Sequence, residues 1–226
     1  MNHSSAVARE DAAYRGQAVY TRGFLLVYDT LVYRINSPVA WRCPQSLLIR
    51  HYDEHVSTRH LDIGVATGIL LNKCDFPSPR PTITLMDLNA NSLALAAHRL
   101  RRYAPRVSQA NVLDPWDLPP ASVDSIGLFN LLHCLPGSIP DKAVVFKNAR
   151  TALTSNGVVF GSTILGQGVH HNWLAKRELA AANMRGIMCN ELDRLDDLET
   201  VLSNAFDRHE ITIAGSMALF CARSGR

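Results

Sequence analysis

An acid followed by closely spaced glycines is the most informative feature of this chain of 226 residues. A short apolar run ends at Asp62, and Gly64 and Gly68 follow before helix-like residues begin at Ile69. Glycine lets the backbone turn sharply out of a strand, and its missing Cβ allows a ligand to touch the main chain. This spacing therefore predicts a strand, a tight ligand-binding turn and a helix.

A second acid stands at the end of the next apolar run. Asp87 closes the segment 82–86, as Asp62 closes the run before it. In a parallel sheet, consecutive strands present their carboxyl ends at the same edge. A carboxylate has two oxygens for two adjacent donors, so this pair of strand ends suits a nucleoside with ribose hydroxyl groups.

Composition places the chain among ordinary globular proteins. Hydrophobic residues make up 47%, charged residues 19%, and the net charge of +3 is too mild for a nucleic-acid surface. One basic cluster is better explained as the end of a helix, where positive charge complements the dipole: Arg99, Arg101, Arg102 and Arg106. The five cysteines include no Cys-x-x-Cys pair, which argues against disulfides and structural zinc. Without a membrane span or signal peptide pattern, we expect a cytoplasmic protein.

Strand and helix patterns alternate after an all-helical N-terminal region. Helical periodicity runs from about residue 12 to 56, with a break at Ser37-Pro38. The predicted strands that follow are 60–63, 82–87, 106–110, 125–129, 157–163, 209–214 and 217–222. The predicted helices between them are 68–71, 91–103, 142–153, 172–188 and 195–205.

This order predicts an α/β fold, a Rossmann-like seven-stranded and mostly parallel sheet with helices on both faces. Only Gly215-Ser216 separates the last two strands, so these should form an antiparallel hairpin. The turn residues 155–157 should lie before the fifth strand. Residues 1–57 are expected to form an N-terminal tail and helical lid, and residues 58–226 the sheet domain, within one structural domain.

From residue 61 to 223, the order of parts resembles the class I methyltransferases that use S-adenosylmethionine. The family's first motif, an acid before Gly-x-Gly-x-Gly, reads here Asp62-x-Gly64-x-Ala66-x-Gly68. Alanine replaces the middle glycine, and we expect it at negative φ. The resemblance implies that this loop, including Thr67, passes the methionine part of the cofactor, with Asp62 organising its ammonium group.

The resemblance also implies where the nucleoside lies. Asp87 would bind both ribose hydroxyl groups, with Leu88 beside it. Asn111 and Val112 stand where the family usually has an acidic residue next to the adenine. Asparagine keeps a carbonyl acceptor for the adenine amino group but removes the charge, and the neighbouring Asp114 is the alternative residue for that contact.

In that family, the segment after the fourth strand faces the transferable methyl group. Asn130 and Leu131 would contact the cofactor there. The segment lacks the Asn-Pro-Pro-aromatic run of amine-methylating enzymes and the aspartates that bind magnesium, so it resembles metal-independent, small-molecule enzymes. His133 could orient a nucleophile or act as its general base, and packing beneath the cofactor is the alternative.

The N-terminal helices resemble lids that cover the cofactor and shape a substrate pocket. Their candidate substrate contacts are aromatic: Tyr20, Tyr28, Tyr33 and Trp41. Arg42 could meet the methionine carboxylate. The insertion 166–190 should supply the opposite wall, with these candidates: His170, His171, Trp173 and either Met184 or Met188.

Two other motifs compete with this interpretation. A nicotinamide-binding domain would need Gly-x-Gly-x-x-Gly, whereas the chain has Ala66 and Ile69 at two of those positions. The string His51-x-x-Glu54-His55 matches an inverted zinc-protease motif, which requires a long active-site helix. Here the helix ends before the first strand, so we expect a polar helix end and no metal.

The sequence therefore predicts a methyltransferase of class EC 2.1.1 that uses S-adenosylmethionine and produces S-adenosylhomocysteine. It would methylate O, N, C or S of a small acceptor by in-line transfer, in the manner of secondary metabolism. The alternatives are a cyclase or non-catalytic binding protein of the same fold, or a protein methyltransferase with an open groove. We expect no nucleic-acid or membrane partner, and the sequence leaves a homodimer open.

Overall fold

The computed structural model describes residues 16–225, so the beginning of the predicted N-terminal helical region, from about residue 12, lies outside the described residues. The strands are β1 Arg59–Ile63, β2 Thr82–Asp87, β3 Arg106–Gln109, β4 Val123–Phe129, β5 Leu153–Ile164, β6 Arg208–Ala214 and β7 Met217–Arg223. The α-helices are α1 Arg22–Tyr28, α2 Gln45–His55, α3 Ile69–Lys73, α4 Ala90–Arg99, α5 Ala143–Ala152, α6 Trp173–Met184 and α7 Leu195–Ala205. A π-helical segment, Asp29–Asn36, and three helical residues, Ser37–Val39, continue α1.

The strands form one seven-stranded sheet in the order β3-β2-β1-β4-β5-β7-β6. Strands β1 to β5 pair in parallel, and β7 is antiparallel to both β5 and β6. The predicted Rossmann-like sheet and its C-terminal hairpin are confirmed. Because the strand order reverses between β1 and β4, a crevice opens at their carboxyl ends, where such sheets bind ligands.

Two apolar cores cover the two faces of the sheet. Leu48 and Tyr52 of α2 and Leu93 of α4 belong to one core. Phe146 of α5 and Leu202 of α7 belong to the other. The crevice therefore lies at the edge of a rigid three-layer sandwich. Within the described part of the chain, every helix falls short of the length and apolarity that crossing a bilayer requires.

The predicted lid, of which the structure describes residues 16–57, is fixed to the sheet at the β6–β7 turn. Gly215 has a φ of +59°, and a Cβ there would lie 2.1 Å from the Trp41 carbonyl oxygen. The Ser216 amide donates to that same oxygen at 2.9 Å. This close approach holds the end of the lid segment against the hairpin.

Several predicted boundaries differ from the structure. Strand β5 begins at Leu153, so the turn signal at 155–157 lies inside the strand. Pairing with β4 explains the difference, because Leu153 is already in register with Val123 before a register shift. Helix α6 stops at Met184, four residues earlier than predicted, and Arg185 caps it.

Candidate active site

A cleft opens at the carboxyl ends of β1, β2 and β4, beneath the residues that precede α1. Its wall includes these residues that the sequence singled out for the cofactor: Gly64, Ala66, Asp87, Leu88, Asn111, Val112, Asn130 and Leu131. Other lining residues were not predicted: Gly16, Gln17, Ser92, Cys134 and Leu135. The loops after β1 and β2 and the segment after β4 therefore meet around one space.

Asp87 joins the first two of these loops. The Asn89 amide donates to Asp87 Oδ1 at 2.8 Å, and the Ala66 amide donates to Oδ2 at 3.4 Å. Burial raises the pKa of the Asp87 carboxyl to about 6. Each oxygen keeps a further lone pair for a donor in the cleft, so the carboxylate can bind two adjacent hydroxyl groups.

The loop after β1 takes a conformation that glycine favours. Gly64 has a φ of +71°, and a Cβ there would lie 2.9 Å from the Leu131 side chain. Ala66 also has a positive φ, of +45°, so the expectation of a negative φ at this residue is wrong. The loop bends so that the Ala66 amide faces Asp87, and this orientation requires a left-handed backbone. An alanine in that region costs about 1–2 kcal/mol.

We expect Ala66→Gly to leave the free energy of unfolding unchanged or raise it by up to about 1 kcal/mol. Relief of the left-handed strain offsets the greater entropy of the unfolded glycine chain. A matched control is Ala94→Gly on the exposed side of α4, which should lose about 1 kcal/mol. Urea denaturation measures both changes. A loss at Ala66→Gly as large as that at Ala94→Gly would contradict the strain argument.

Asp62 lies beneath the glycine loop. Its Oδ1 accepts a hydrogen bond from the buried Tyr52 hydroxyl at 2.6 Å, and the residue lines a small cavity together with Gly68 and Tyr33. The His60 Nε2 is buried without a partner, 3.7 Å from Asp62 Oδ1. The Asp62 carboxyl group thus lies beneath the glycine loop, on the face of the sheet that α2 covers.

Thr67 and Arg42 lie elsewhere than the resemblance implied. The Thr67 hydroxyl donates to Asp29 of the lid, and Asp29 also pairs with Arg99 of α4 at 2.8 Å. Thr67 therefore ties the glycine loop to the lid. The side chain of Arg42 is exposed and lines neither the cleft nor the neighbouring cavity, because its backbone turns at a φ of +53° against the β6–β7 hairpin.

A second cavity of about 250 Å³ lies between the lid and α6. We call it the acceptor cavity. Four predicted substrate candidates line it: Tyr20, Tyr28, Trp41 and Met188. Its wall is otherwise mainly apolar, with Phe24, Leu31, Val32, Ile164, Ala181, Ala182, Ile187 and Met217. Polar groups include Asn36, whose side chain donates to Glu178 at 3.5 Å, and the exposed Arg185.

Other predicted substrate contacts lie outside this cavity. Tyr33 lines the small cavity beside Asp62. His170 is exposed, and Trp173 and Met184 are exposed by 70% and 82%. For Trp173 and Met184 the physical reason is the orientation of α6, which turns Ala181 and Ala182 toward the acceptor cavity. His171 instead contacts Ser216 at 2.9 Å and the Gly166 carbonyl at 3.2 Å, a role in holding the insertion.

The cleft and the acceptor cavity share a wall. We call it the partition, and its residues line both spaces: Tyr20, Tyr28, Asn130 and Cys134. Asn130 has a φ of +54°, and its Oδ1 accepts from the Ser162 hydroxyl at 3.1 Å. Burial raises the pKa of both tyrosines well above the usual value and that of Cys134 to about 12, so these groups keep their protons.

His133 lines the acceptor cavity just beyond the partition. Its Nδ1 accepts the Ile164 amide at 3.1 Å, with the Thr163 hydroxyl 3.4 Å away. Burial and the nearby Lys142 lower the His133 pKa to about 3, so the ring is neutral. A general base needs a free ring lone pair, but the lone pair of Nδ1 already accepts the hydrogen bond from the Ile164 amide. The geometry therefore disagrees with the general-base interpretation.

A buried ion pair holds the insertion against the His133 segment. The Lys142 Nζ contacts both Asp193 oxygens, at 2.8 and 2.7 Å, and the Cys189 carbonyl at 3.1 Å. The Cys189 amide donates to the His133 carbonyl at 2.8 Å. Both charged side chains are fully buried. Sequence patterns gave no sign of this pair, because its members are 51 residues apart.

The ligand atoms of His51, Glu54 and His55 lie within 4.8 Å of one another on α2. The His51 Nε2 contacts the Phe220 carbonyl at 2.9 Å, and the His55 Nδ1 contacts the His51 carbonyl at 2.9 Å. None of the three lines the cleft or the acceptor cavity. The cluster is therefore separate from the candidate site, and the expectation of a polar helix end without metal stays a prediction.

Comparison with known proteins agrees with this architecture. A family of methyltransferase domains matches residues 61–159. Demethylluteothin O-methyltransferase of Streptomyces thioluteus is 41% identical over 207 residues, which cover 92% of this chain and 90% of the relative. The chain belongs to the methyltransferase family. The physcion biosynthesis cluster O-methyltransferase of Aspergillus chevalieri is 34% identical, over 92% of this chain and 94% of that protein.

Solved methyltransferase structures share the fold. Phosphoethanolamine N-methyltransferase 2 of Haemonchus contortus, in complex with phosphomonomethylethanolamine and S-adenosylhomocysteine, superposes with a TM-score of 0.68 at 14% identity. The match covers 96% of this chain and 60% of that one. The N-methyltransferase NodS of Bradyrhizobium japonicum WM9 gives a TM-score of 0.57 at 16% identity, over 80% and 86% of the two chains. The predicted family and fold are thus confirmed.

Proposed function

We propose that this methyltransferase transfers the methyl group of S-adenosylmethionine to an oxygen atom of a small, largely apolar acceptor. The observation that carries the proposal is the partition, which separates a nucleoside-type cleft from an apolar cavity by a single layer of side chains. Methyl transfer requires the nucleophile, methyl carbon and sulfur in line, and two spaces that adjoin at shared residues would bring an acceptor oxygen next to the methyl group. The O-methyltransferase names of the relatives support oxygen as the nucleophile.

The residues of the cleft fit the proposed cofactor. Asp87 would accept the two ribose hydroxyl groups, and Leu88 and Val112 would flank the adenine with Asn111 at its edge. The backbone after Gly64 would pass the methionine part, and the carboxylate of Asp62 suits its ammonium group. The bound cofactor supplies a methyl group that the sulfonium has already activated.

Opening of the lid would widen the cleft for a cofactor of this size. The cleft holds only about 80 Å³ in this structure. The Asn89 side chain donates to the Gln17 side-chain oxygen at 2.6 Å and to its carbonyl at 3.0 Å, which closes the space from above. Closure after binding would exclude water from the methyl group, and this supports the assignment of the N-terminal segment as a lid.

The acceptor cavity supports a small organic substrate. Its aromatic and aliphatic wall would bury an apolar ring system, and the lid and α6 enclose it on two sides. A protein substrate would need an open groove instead. The relatives' names connect them with biosynthetic products, and an acceptor from secondary metabolism is consistent with that.

The proposal is tested by incubating the protein with S-adenosylmethionine and a set of hydroxylated aromatic and enolic compounds. We expect mass spectrometry to detect S-adenosylhomocysteine together with an acceptor heavier by one methylene group, at an oxygen that fragmentation identifies. Calorimetry with S-adenosylhomocysteine should give a saturable isotherm. Binding without any methylated product would favour the binding-protein alternative, and no binding would refute the cofactor assignment.

Cofactor affinity should depend on pH through Asp87. Burial raises its pKa from 3.8 to about 6, so the contribution of this group to folding stability falls as pH rises from about 4 to 6. Hydroxyl donors favour the ionised form, so binding should release a proton between pH 5 and 6, and affinity should fall as pH drops below about 6. Calorimetry in two buffers of different ionisation enthalpy measures that proton. Equal heats in both buffers would contradict the coupling.

A further inference from the structure

The hydrogen bonds of His133 fix which ring nitrogen carries the proton. The Ile164 amide is a donor, so the Nδ1 that it contacts at 3.1 Å must be the unprotonated nitrogen. A neutral imidazole then carries its proton on Nε2. Because Nδ1 faces the backbone of β5, Nε2–H is the polar group that the ring offers to the acceptor cavity.

The other titratable groups near the partition also carry protons. Tyr20, Tyr28 and Cys134 are protonated because burial raises their pKa values. Behind His133, Lys142 is neutralised by Asp193 at 2.7 Å. Glu178 and Arg185 line the acceptor cavity on the side of α6. Glu178 is the one carboxylate among the described residues that line the acceptor cavity, and its side chain accepts from Asn36.

We propose that the acceptor enters as an oxygen anion, the conjugate base of an enol or acidic phenol, and that His133 binds this oxygen through Nε2–H. The inference rests on the proposed function and narrows its substrate class. The Nε2–H of His133 donates to an anionic oxygen, and Glu178, the one carboxylate among the described residues that line the acceptor cavity, accepts from Asn36 instead. The apolar wall would otherwise disfavour the charge, so a charge-assisted hydrogen bond is what makes its binding favourable.

The transfer step then needs no base. The acceptor oxygen forms a bond to the methyl carbon while the bond from that carbon to sulfur breaks and leaves its electron pair on sulfur. The negative charge of the oxygen and the positive charge of the sulfonium cancel. No proton moves during the step, which is consistent with a neutral His133 whose lone pair is occupied.

Ionisation of a bound dye tests the anion site without turnover. We expect 4-nitrophenol, bound in the presence of S-adenosylhomocysteine, to show the phenolate absorption band at pH values where the free dye is still protonated. His133→Gln keeps an N–H donor and an acceptor for Ile164, so it should retain the effect. His133→Leu should reduce the ionisation constant of the bound dye roughly tenfold or more. Wild-type protein that binds the protonated dye, or none at all, would overturn the inference.

Turnover distinguishes this inference from the proposed function. With S-adenosylmethionine, 4-nitrophenol and 1,3-cyclohexanedione should be methylated at neutral pH. The rate with 4-methylphenol should rise with the phenolate fraction in solution, and benzyl alcohol should give no product. Methylation of benzyl alcohol, or loss of activity in either Glu178→Gln or His133→Gln, would reveal a base and overturn the inference while leaving methyl transfer intact. Dye ionisation without any methylation would instead count against the proposed function alone.

Discussion

Asp87→Ala is expected to weaken binding of S-adenosylmethionine roughly tenfold to a hundredfold. The variant removes both carboxylate oxygens that the ribose hydroxyl groups would meet, and a hydrogen bond to a charged group contributes about 1.5–3 kcal/mol. It also frees the amides of Ala66 and Asn89, which Asp87 now holds. Loss of that tie between the two loops should add to the effect. Calorimetry with S-adenosylmethionine or S-adenosylhomocysteine measures it.

The control separates loss of the ribose contact from a general loss of charge. Asp117→Ala removes an exposed carboxylate of the same size and should leave affinity within a factor of two. Asp87→Asn keeps the shape of the side chain but lowers its acceptor capacity, so it should lie between the wild type and Asp87→Ala. Unchanged affinity in Asp87→Ala, with the fold intact by circular dichroism, would refute the ribose assignment.

The sequence predicted the parts of this site that depend on local spacing. Gly64, Gly68 and Asp87 mark strand ends and turns, and these features depend on a few neighbouring residues. The two residues Gly215-Ser216 likewise sufficed to predict the hairpin. These patterns were enough to predict the cleft, because parallel strands present their carboxyl ends at one edge of the sheet.

Features that depend on distant segments could not be predicted in this way. Ala66 takes a positive φ because Asp87 receives its amide from across the cleft. The role of His133 depends on an amide of β5, 31 residues later. The wall supplied by α6 depends on which helix face turns inward, and the weakly amphipathic sequence around Trp173 did not determine that. In each case a tertiary contact sets the chemistry of a residue whose type was already noted.

Asp193→Ala should lower the free energy of unfolding by about 3–5 kcal/mol. Among the residues that the structure describes, the variant leaves the buried Lys142 ammonium with the Cys189 carbonyl as its remaining hydrogen-bond partner, and a buried charge without a counter-charge is strongly destabilising. Urea denaturation measures the loss. As a control, Asp124→Ala breaks the exposed pair with Arg59 and should cost less than about 1 kcal/mol. Equal losses in the two variants would show that the buried pair has no special role.

A double variant and a kinetic measurement connect this pair with the acceptor cavity. Lys142→Met combined with Asp193→Leu removes both charges and should recover stability to within about 1–2 kcal/mol of the wild type. Because Cys189 links the pair to the His133 carbonyl at 2.8 Å, loosening this anchor should displace the cavity wall more than the cleft. We therefore expect Asp193→Ala, below its unfolding temperature, to raise KM for the acceptor several-fold while the affinity for S-adenosylhomocysteine changes little. An equal loss of both affinities would mean that the pair supports the whole sheet edge rather than the acceptor cavity.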